Sequence, residues 1–211
     1  MRKILAVAFI FFVFTINPAH SQDTLQMLSG EKLLVKVRDV NPGSNLILVE
    51  FIKKNKLKSK TVVMTDVYNI HFLDGTVRPV YKFDTLEGNN LTYDEAGKFV
   101  AGQQFAMKNY KAPWVTVTSA VIGAASPLAL TFFYGLIVPT VYTGIMGLTK
   151  PSHSLFIYSK TKPELFNDKY FKSGFVKQAR KKRVMNAVYG SLIGIGVAAI
   201  TSGVLLYVDN K

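Results

Sequence analysis

The sequence predicts an α+β membrane protein: a small antiparallel β barrel or roll followed by two transmembrane helices. Three observations predict it. Short β-rich runs alternate with turn signals over residues 23–83. Two long blocks, Ala112–Thr149 and Val184–Val208, contain no Asp, Glu, Lys or Arg. The segment between those blocks holds ten Lys or Arg against only Glu164 and Asp168.

The chain opens with Arg2 and Lys3, an apolar run Ile4–Phe14, and an A-x-S pattern at Ala19-His20-Ser21. This arrangement predicts a signal peptide over 1–21 with Gln22 as the mature start, because the apolar run is shorter than the ~20 residues of a spanning helix. An uncleaved signal anchor is the alternative. Export implies an oxidising compartment, yet the chain has no cysteine. That excludes disulfides, thiolate metal sites, Cys nucleophiles and lipoprotein acylation.

Residues 22–85 are expected to form the β domain. Val35, Val37 and Val40 give a near-alternating run, and Asn41-Pro42-Gly43-Ser44-Asn45 is a dense turn signal before Leu46–Ile52. Lys53–Lys60, with five lysines in eight residues, is expected as a solvated loop. Thr61–Thr65, Val67–Leu73 and Thr76–Phe83 complete a meander through an Asp74-Gly75 turn. Residues 86–111 are read as a connector and an amphipathic helix from Lys98, carrying Phe99, Phe105, Ala106 and Tyr110.

Block 112–149 is expected to give one span, from about Pro113 to Ile137, and a partial segment after Pro139. Trp114 is placed at the near interface and Tyr207 at the far one. Pro127 should kink this block and Pro139 should end or break it. The alternative is a tight hairpin that crosses twice. The positive-inside rule favours one crossing, with loop 150–183 cytoplasmic and the N-terminal domain periplasmic. Asn167 or Asp168 is expected to cap a helix that continues into the second span, 184–208, ahead of the tail 209–211.

Several segments resemble known groups. The strand rhythm of "SGEKLLVKVRDV", "NLILVEFI" and "DVYNIHFLDG" is similar to that of SH3-like and Sm-like barrels. "LSGEKLLVKVRDV", "AGQQFAMKNYKAPW" and "DKYFKSGFVKQARKKRVMNAVYG" together resemble a group of uncharacterised exported membrane proteins of Bacteroidetes-type bacteria. That resemblance implies architecture only, a periplasmic β module on a membrane anchor.

Two sets of residues stand out as candidates. Gly190, Gly194, Ala198, Ser202, Ala199 and Gly203 recur four apart, a spacing that lets helix backbones approach closely, against the first span or a second copy. Ordinary glycine enrichment of spanning helices is the plainer account. Lys177, Arg180, Lys181, Lys182 and Arg183 precede the last span and suit a membrane surface, either as a topology signal or as a lipid or partner site.

His71 and His153 are far apart, so no metal or cofactor is expected. Asp66 and Asp74 read as turn residues, and Asn90-Leu91-Thr92 matches a glycosylation sequon. No nucleophile, base and orienting group assemble, so no enzyme is expected. The net charge of +13 is assigned to membrane orientation, not nucleic acid. The expected role is a membrane-anchored interaction or scaffold protein of the bacterial envelope, in the inner membrane. Its expected partners are membrane lipids and a protein partner or a second copy. A transport or secretion component and a hydrolase on the β module are the rivals.

Overall fold

The computed structural model describes residues 22–209 except Asn55, Glu87 and Thr131, and leaves out the side chains of 132, 133 and 205–209. The expected signal peptide lies outside the described residues. The chain forms two compact units. One holds the sheet as far as Val80, and the other holds Tyr81 onward together with the Met27–Glu31 turn.

The first unit is an antiparallel sheet of β1 (Asp23–Met27), β2 (Lys32–Asn41), β3 (Leu46–Lys53), β4 (Lys56–Val63), β5 (Val67–His71) and β6 (Val77–Pro79). Among the described residues the strand order is β4-β3-β2-β1-β5-β6. The turns stand where Asn, Gly and Asp place them. Asn41 Oδ1 accepts from Gly43 N and Ser44 N, and Gly75 takes φ 84° in the β5–β6 turn.

The expected barrel does not close; the sheet is open. Its two ends cannot meet as strands. β6 has three residues and stops at Pro79, which has no N–H to offer. β4, at the other edge, is exposed everywhere except Val62.

The Lys53–Lys60 loop expectation is also corrected. Lys54 turns the chain with φ 52°, and β4 pairs with β3 along its whole length, from Lys53↔Lys56 to Leu46↔Val63. Lysine density hid a period-two pattern, with Lys56, Lys58 and Lys60 on one face and Leu57 and Val63 on the other. Lysine is a common device on edge strands.

One face of the sheet buries Leu25, Val35, Ile47, Val49 and Val62. Alternation then sends Leu46, Leu48, Ile52, Leu57 and Val63 to the opposite face, where they stay exposed. A β-bulge at Arg38 shifts the β2–β3 register and aims Arg38 Nε at Glu50 Oε2, 2.7 Å away.

The second unit is helical: α1 (Tyr93–Asn109), α2 (Pro113–Ala129), α3 (Phe132–Gly135), α4 (Ile137–Leu148), α5 (Ser152–Thr161), α6 (Pro163–Phe166) and α7 (Lys169–Asp209). α1 starts five residues before Lys98. Thr92 and Glu95 form a capping box, with Thr92 N donating to Glu95 Oε2 at 2.9 Å and Glu95 N to Thr92 Oγ1 at 3.4 Å. Asp168 Oδ1 caps α7 by accepting from Tyr170 N and Phe171 N at 2.8 and 3.0 Å. α7 then runs unbroken for 41 residues. Among the described residues it is the helix long and apolar enough to cross a membrane.

The uncharged block 112–149 doubles back. α2 runs parallel to α7: Asn186 meets Ala112, Gly190 meets Thr116 and Ser119, and Gly194 meets Ala120 and Ala124. α2 stops two residues after Pro127, and a short turn through α3 sends α4 back along α7. Gly135 permits the reversal, because a Cβ there would lie 2.5 Å from Pro127 Cα. α4 ends with Met146 and Thr149 beside Arg183.

The expected single span from Pro113 to Ile137 is therefore replaced by a helical hairpin. Pro139 sits in the first turn of α4, where proline is tolerated. By rise alone α2 covers ~25 Å and α4 ~18 Å, both short of a ~30 Å hydrocarbon layer.

This geometry also removes the expected separation of loop 150–183 from α1. Lys98 Nζ binds Asp168 Oδ2 at 2.8 Å, and Tyr158 Oη donates to Asn109 O at 3.1 Å. Both ends of the hairpin, and the basic segment after it, stand on one side.

The small-residue stripe on α7 divides at the end of this contact. Added to Gly194, a Cβ would lie 2.7 Å from Ala124 N, whereas Gly203 has open space around it. Gly194→Ile is predicted to destabilise the detergent-solubilised protein by about 2 kcal/mol or more, read as a lowered thermal midpoint, and Gly203→Ile to leave it unchanged. Equal effects would reduce the stripe to composition.

Candidate functional site

The polar end of the α7 contact is built from three side chains within five residues. Lys182 Nζ donates to Ala106 O, Met107 O and Tyr110 O at 3.2, 2.5 and 3.0 Å. Arg183 donates to Thr149 O at 3.0 Å and contacts Met146 Sδ at 3.1 Å, with its guanidinium 5.8 Å from the Trp114 ring centroid. Asn186 Nδ2 donates to Ala112 O at 3.0 Å.

Met107 O and Tyr110 O are left over where α1 ends and Thr149 O where α4 ends, whereas Ala106 O and Ala112 O also accept from Tyr110 N and Val115 N. A helix terminus leaves such groups without intrahelical partners, and cations suit a C-terminus. The expectation that Lys182 and Arg183 belong to a surface patch is therefore corrected. Arg183 is 6% exposed; Lys182 spends its donors on backbone, and Arg183 donates to Thr149 O and Met146 Sδ while its Nε is buried without a hydrogen-bond partner. Trp114 is exposed at this same level. The side chain of Tyr207 lies outside the described residues.

The remaining cations of the run face elsewhere. Lys181 Nζ reaches Glu31 Oε1 at 3.3 Å, and Lys177 Nζ lies 5.4 Å from the Phe99 ring. Lys169, Lys172, Lys177 and Arg180 recur at three- to five-residue spacing on α7. With Lys150 they rim a groove of about 570 Å³ whose floor includes Leu155 and Val176. The lining contains no Asp or Glu, and Arg180 Nε is buried without a hydrogen-bond partner. Sequence reasoning saw the charges as one block. The structure separates two that hold the helices from four that face a groove.

A cluster of rings holds this segment in place. Tyr158 stacks on Phe166 at 5.8 Å, and Phe166 meets Phe171 and Phe175 edge-on at 5.3 and 5.1 Å. Phe105 of α1 completes it, edge-on to Tyr158 at 5.3 Å. Phe105 lies far from the other four in sequence, so composition alone gives no sign that it meets them.

Gly102 and Gly174 permit the close crossing of α1 and α7: a Cβ on Gly102 would lie 2.9 Å from Phe171 C, and one on Gly174 2.8 Å from Phe99 C. Beside Gly102, buried Gln103 donates from Nε2 to Leu28 O at 2.6 Å. On α7, Gly190, Gly194 and Ala198 are buried, Ser202 is half-buried, and Ala199 and Gly203 are exposed.

In the sheet unit, His71 Nε2 lies 3.3 Å from Gln26 Oε1. His153 is exposed on α5. Among the described residues no group of three His, Asp or Glu could hold a metal ion. Asp74 Oδ1 accepts from Thr76 N and Oγ1, which lowers its carboxyl pKa from the ordinary 3.8. No protein-family model, curated protein or solved structure matches this chain.

Two carboxylates fasten the α1–α7 crossing. Lys98 chiefly, with the Phe171 N–H, holds the Asp168 carboxyl below its ordinary 3.8. The Tyr170 hydroxyl, then the Thr92 N–H, holds Glu95 below 4.5. Lowered folded-state values contribute stability that is present above the unfolded values and lost as pH falls through the folded ones. The thermal midpoint is therefore predicted to drop as pH falls below about 4. Asp168→Asn, which keeps a capping oxygen without the charge, should give a shallower fall. Identical slopes would show that this carboxylate is not part of the fastening.

Proposed function

We propose that the protein is a membrane-anchored scaffold of the bacterial envelope, non-catalytic, whose sheet recruits an extended segment of a protein partner. The α7 contact, with α2 and α4, is the membrane anchor. Support comes from the distribution of apolar surface. Val117, Val121, Val141, Ile145, Ile193 and Ile200 point outward, while Ser119, Gly123 and Ser126 point inward. An exposed apolar rim around a small-residue interior suits lipid as solvent. The signal-like N-terminus supports export, with α1 and segment 150–183 together on the periplasmic side of the inner membrane.

The single observation that carries the recruiting role is the β4 edge. Among the described residues β4 pairs only with β3, leaving an eight-residue edge able to accept another strand. Lys56, Lys58 and Lys60 line one face of that edge and Leu57 and Val63 the other. A second copy would bring lysine against lysine. A strand that alternates acidic and apolar residues would meet complementary groups on both faces.

The probe is a labelled octapeptide of alternating Glu and Val, titrated against the full chain in detergent. Binding is predicted, together with at least a roughly tenfold loss in the variant Lys56→Glu, Lys58→Glu, Lys60→Glu, from three reversed pairs of about 0.5 kcal/mol each. Binding that is insensitive to the reversal would overturn the recruiting role. Release of the protein from membranes by alkaline carbonate would overturn the anchor.

A further inference from the structure

The groove rimmed by Lys150, Lys169, Lys172, Lys177 and Arg180 is unused by the scaffold role. Its cations make no salt bridge among the described residues, and four of them repeat along one side of one helix. Like charges at such spacing repel, so the arrangement is costly for Lys172, Lys177 and Arg180 unless an anion sits among them, whereas Lys169 already interacts with Tyr170, Glu95 and Asp168. Arg180 Nε, buried and without a hydrogen-bond partner, is an N–H donor still to be satisfied. The floor is apolar, through Leu155 and Val176, which a free inorganic anion would not use.

A second groove lies further along α7 against α4. It is lined by Pro139, Thr143, Val188, Ser191, Leu192 and Ile195, with a volume of about 360 Å³. Val188, Leu192 and Ile195 lie further along α7, about 60–120° round its axis from Arg180. Arg180 to Ile195 spans ~22 Å of helix. The order along that line is cations first, then apolar wall, with the uncharged block beginning at Val184 between them.

We propose that this line binds one anionic glycerophospholipid, with the headgroup phosphate among the cations and an acyl chain along the α4–α7 groove. The site rests on the reading of α7 as a membrane anchor. It differs from a diffuse basic surface in having a defined place for both ends of the ligand. Lys182 and Arg183, the most basic-looking part of the sequence, are outside it because neither lines the groove and both reach into the helix contact instead.

The full chain is reconstituted in bilayer discs of phosphatidylcholine with phosphatidylglycerol, then transferred to detergent and weighed intact by native mass spectrometry. One phosphatidylglycerol per chain is expected to survive conditions that strip phosphatidylcholine. Lys172→Gln, Lys177→Gln, Arg180→Gln together should weaken retention roughly a hundredfold, at about fivefold per cation. Lys108→Gln with Lys111→Gln, which removes exposed charge from the α1 end, should leave retention nearly unchanged. The charge-keeping variant Lys172→Arg, Lys177→Arg, Arg180→Lys should retain the lipid, which separates loss of charge from loss of fold.

Equal retention of the two lipids would overturn the site, as would an equal loss in the Lys108 and Lys111 variant. Displacement of the lipid by inorganic phosphate would make the groove a free-anion site and overturn the lipid assignment. Failure to enter bilayer discs at all overturns the anchor itself, whereas entry without lipid selectivity overturns only the headgroup site.

Discussion

The helical unit depends on how the loose backbone carbonyls at two helix ends are satisfied. α1 ends, α2 begins and α4 ends against the same stretch of α7, and the two C-terminal ends leave Met107 O, Tyr110 O and Thr149 O without helical partners. Lys182, Arg183 and Asn186 supply the donors. An unpaired carbonyl buried there would cost about 1–3 kcal/mol, and unpaired cations would cost more. Each group therefore makes the burial of the other tolerable. The hairpin, the 68° bend between α1 and α2 and the closeness of segment 150–183 to α1 all follow from that meeting point.

Close approach is the second condition. α7 meets α1 through Gly102 and Gly174, and α2 through Gly123, Gly190 and Gly194, positions where a Cβ would run into the opposing backbone. The contact continues to the buried Ala198 and opens beyond it, where Gly203 has nothing nearby. The same helix is thus a packing element over its middle and an apolar rod toward its end. Glycine spacing alone does not show where one role gives way to the other.

Much of the architecture is legible in the sequence, because local chemistry decides it. The Asn41–Asn45 and Asp74-Gly75 turns, the Asp168 cap and the uninterrupted helix into the last apolar block need only neighbouring residues. So does the Thr92–Glu95 capping box, a signal present in the sequence that places the start of α1 earlier than amphipathic spacing does. The open sheet is less legible, since closure depends on strand length and on Pro79 at the edge. Lysine density conceals β4, whose period-two pattern is visible once charge is set aside.

The reversal at Gly135 is the least legible feature. Charge counting treats every Lys and Arg as free to orient the chain, yet Lys182 and Arg183 are bound to backbone. Pro127 and Gly135 together turn the block instead of kinking it.

Sidedness tests this account most directly. The chain has no cysteine, so Lys108→Cys on α1 and Ser159→Cys on α5 can be labelled singly with a membrane-impermeant thiol reagent in cells with permeabilised outer membranes. The folded-back arrangement predicts that both are modified, or both protected, together. Modification of one with protection of the other would place α1 and α5 on opposite sides and contradict the convergence on Lys182, Arg183 and Asn186.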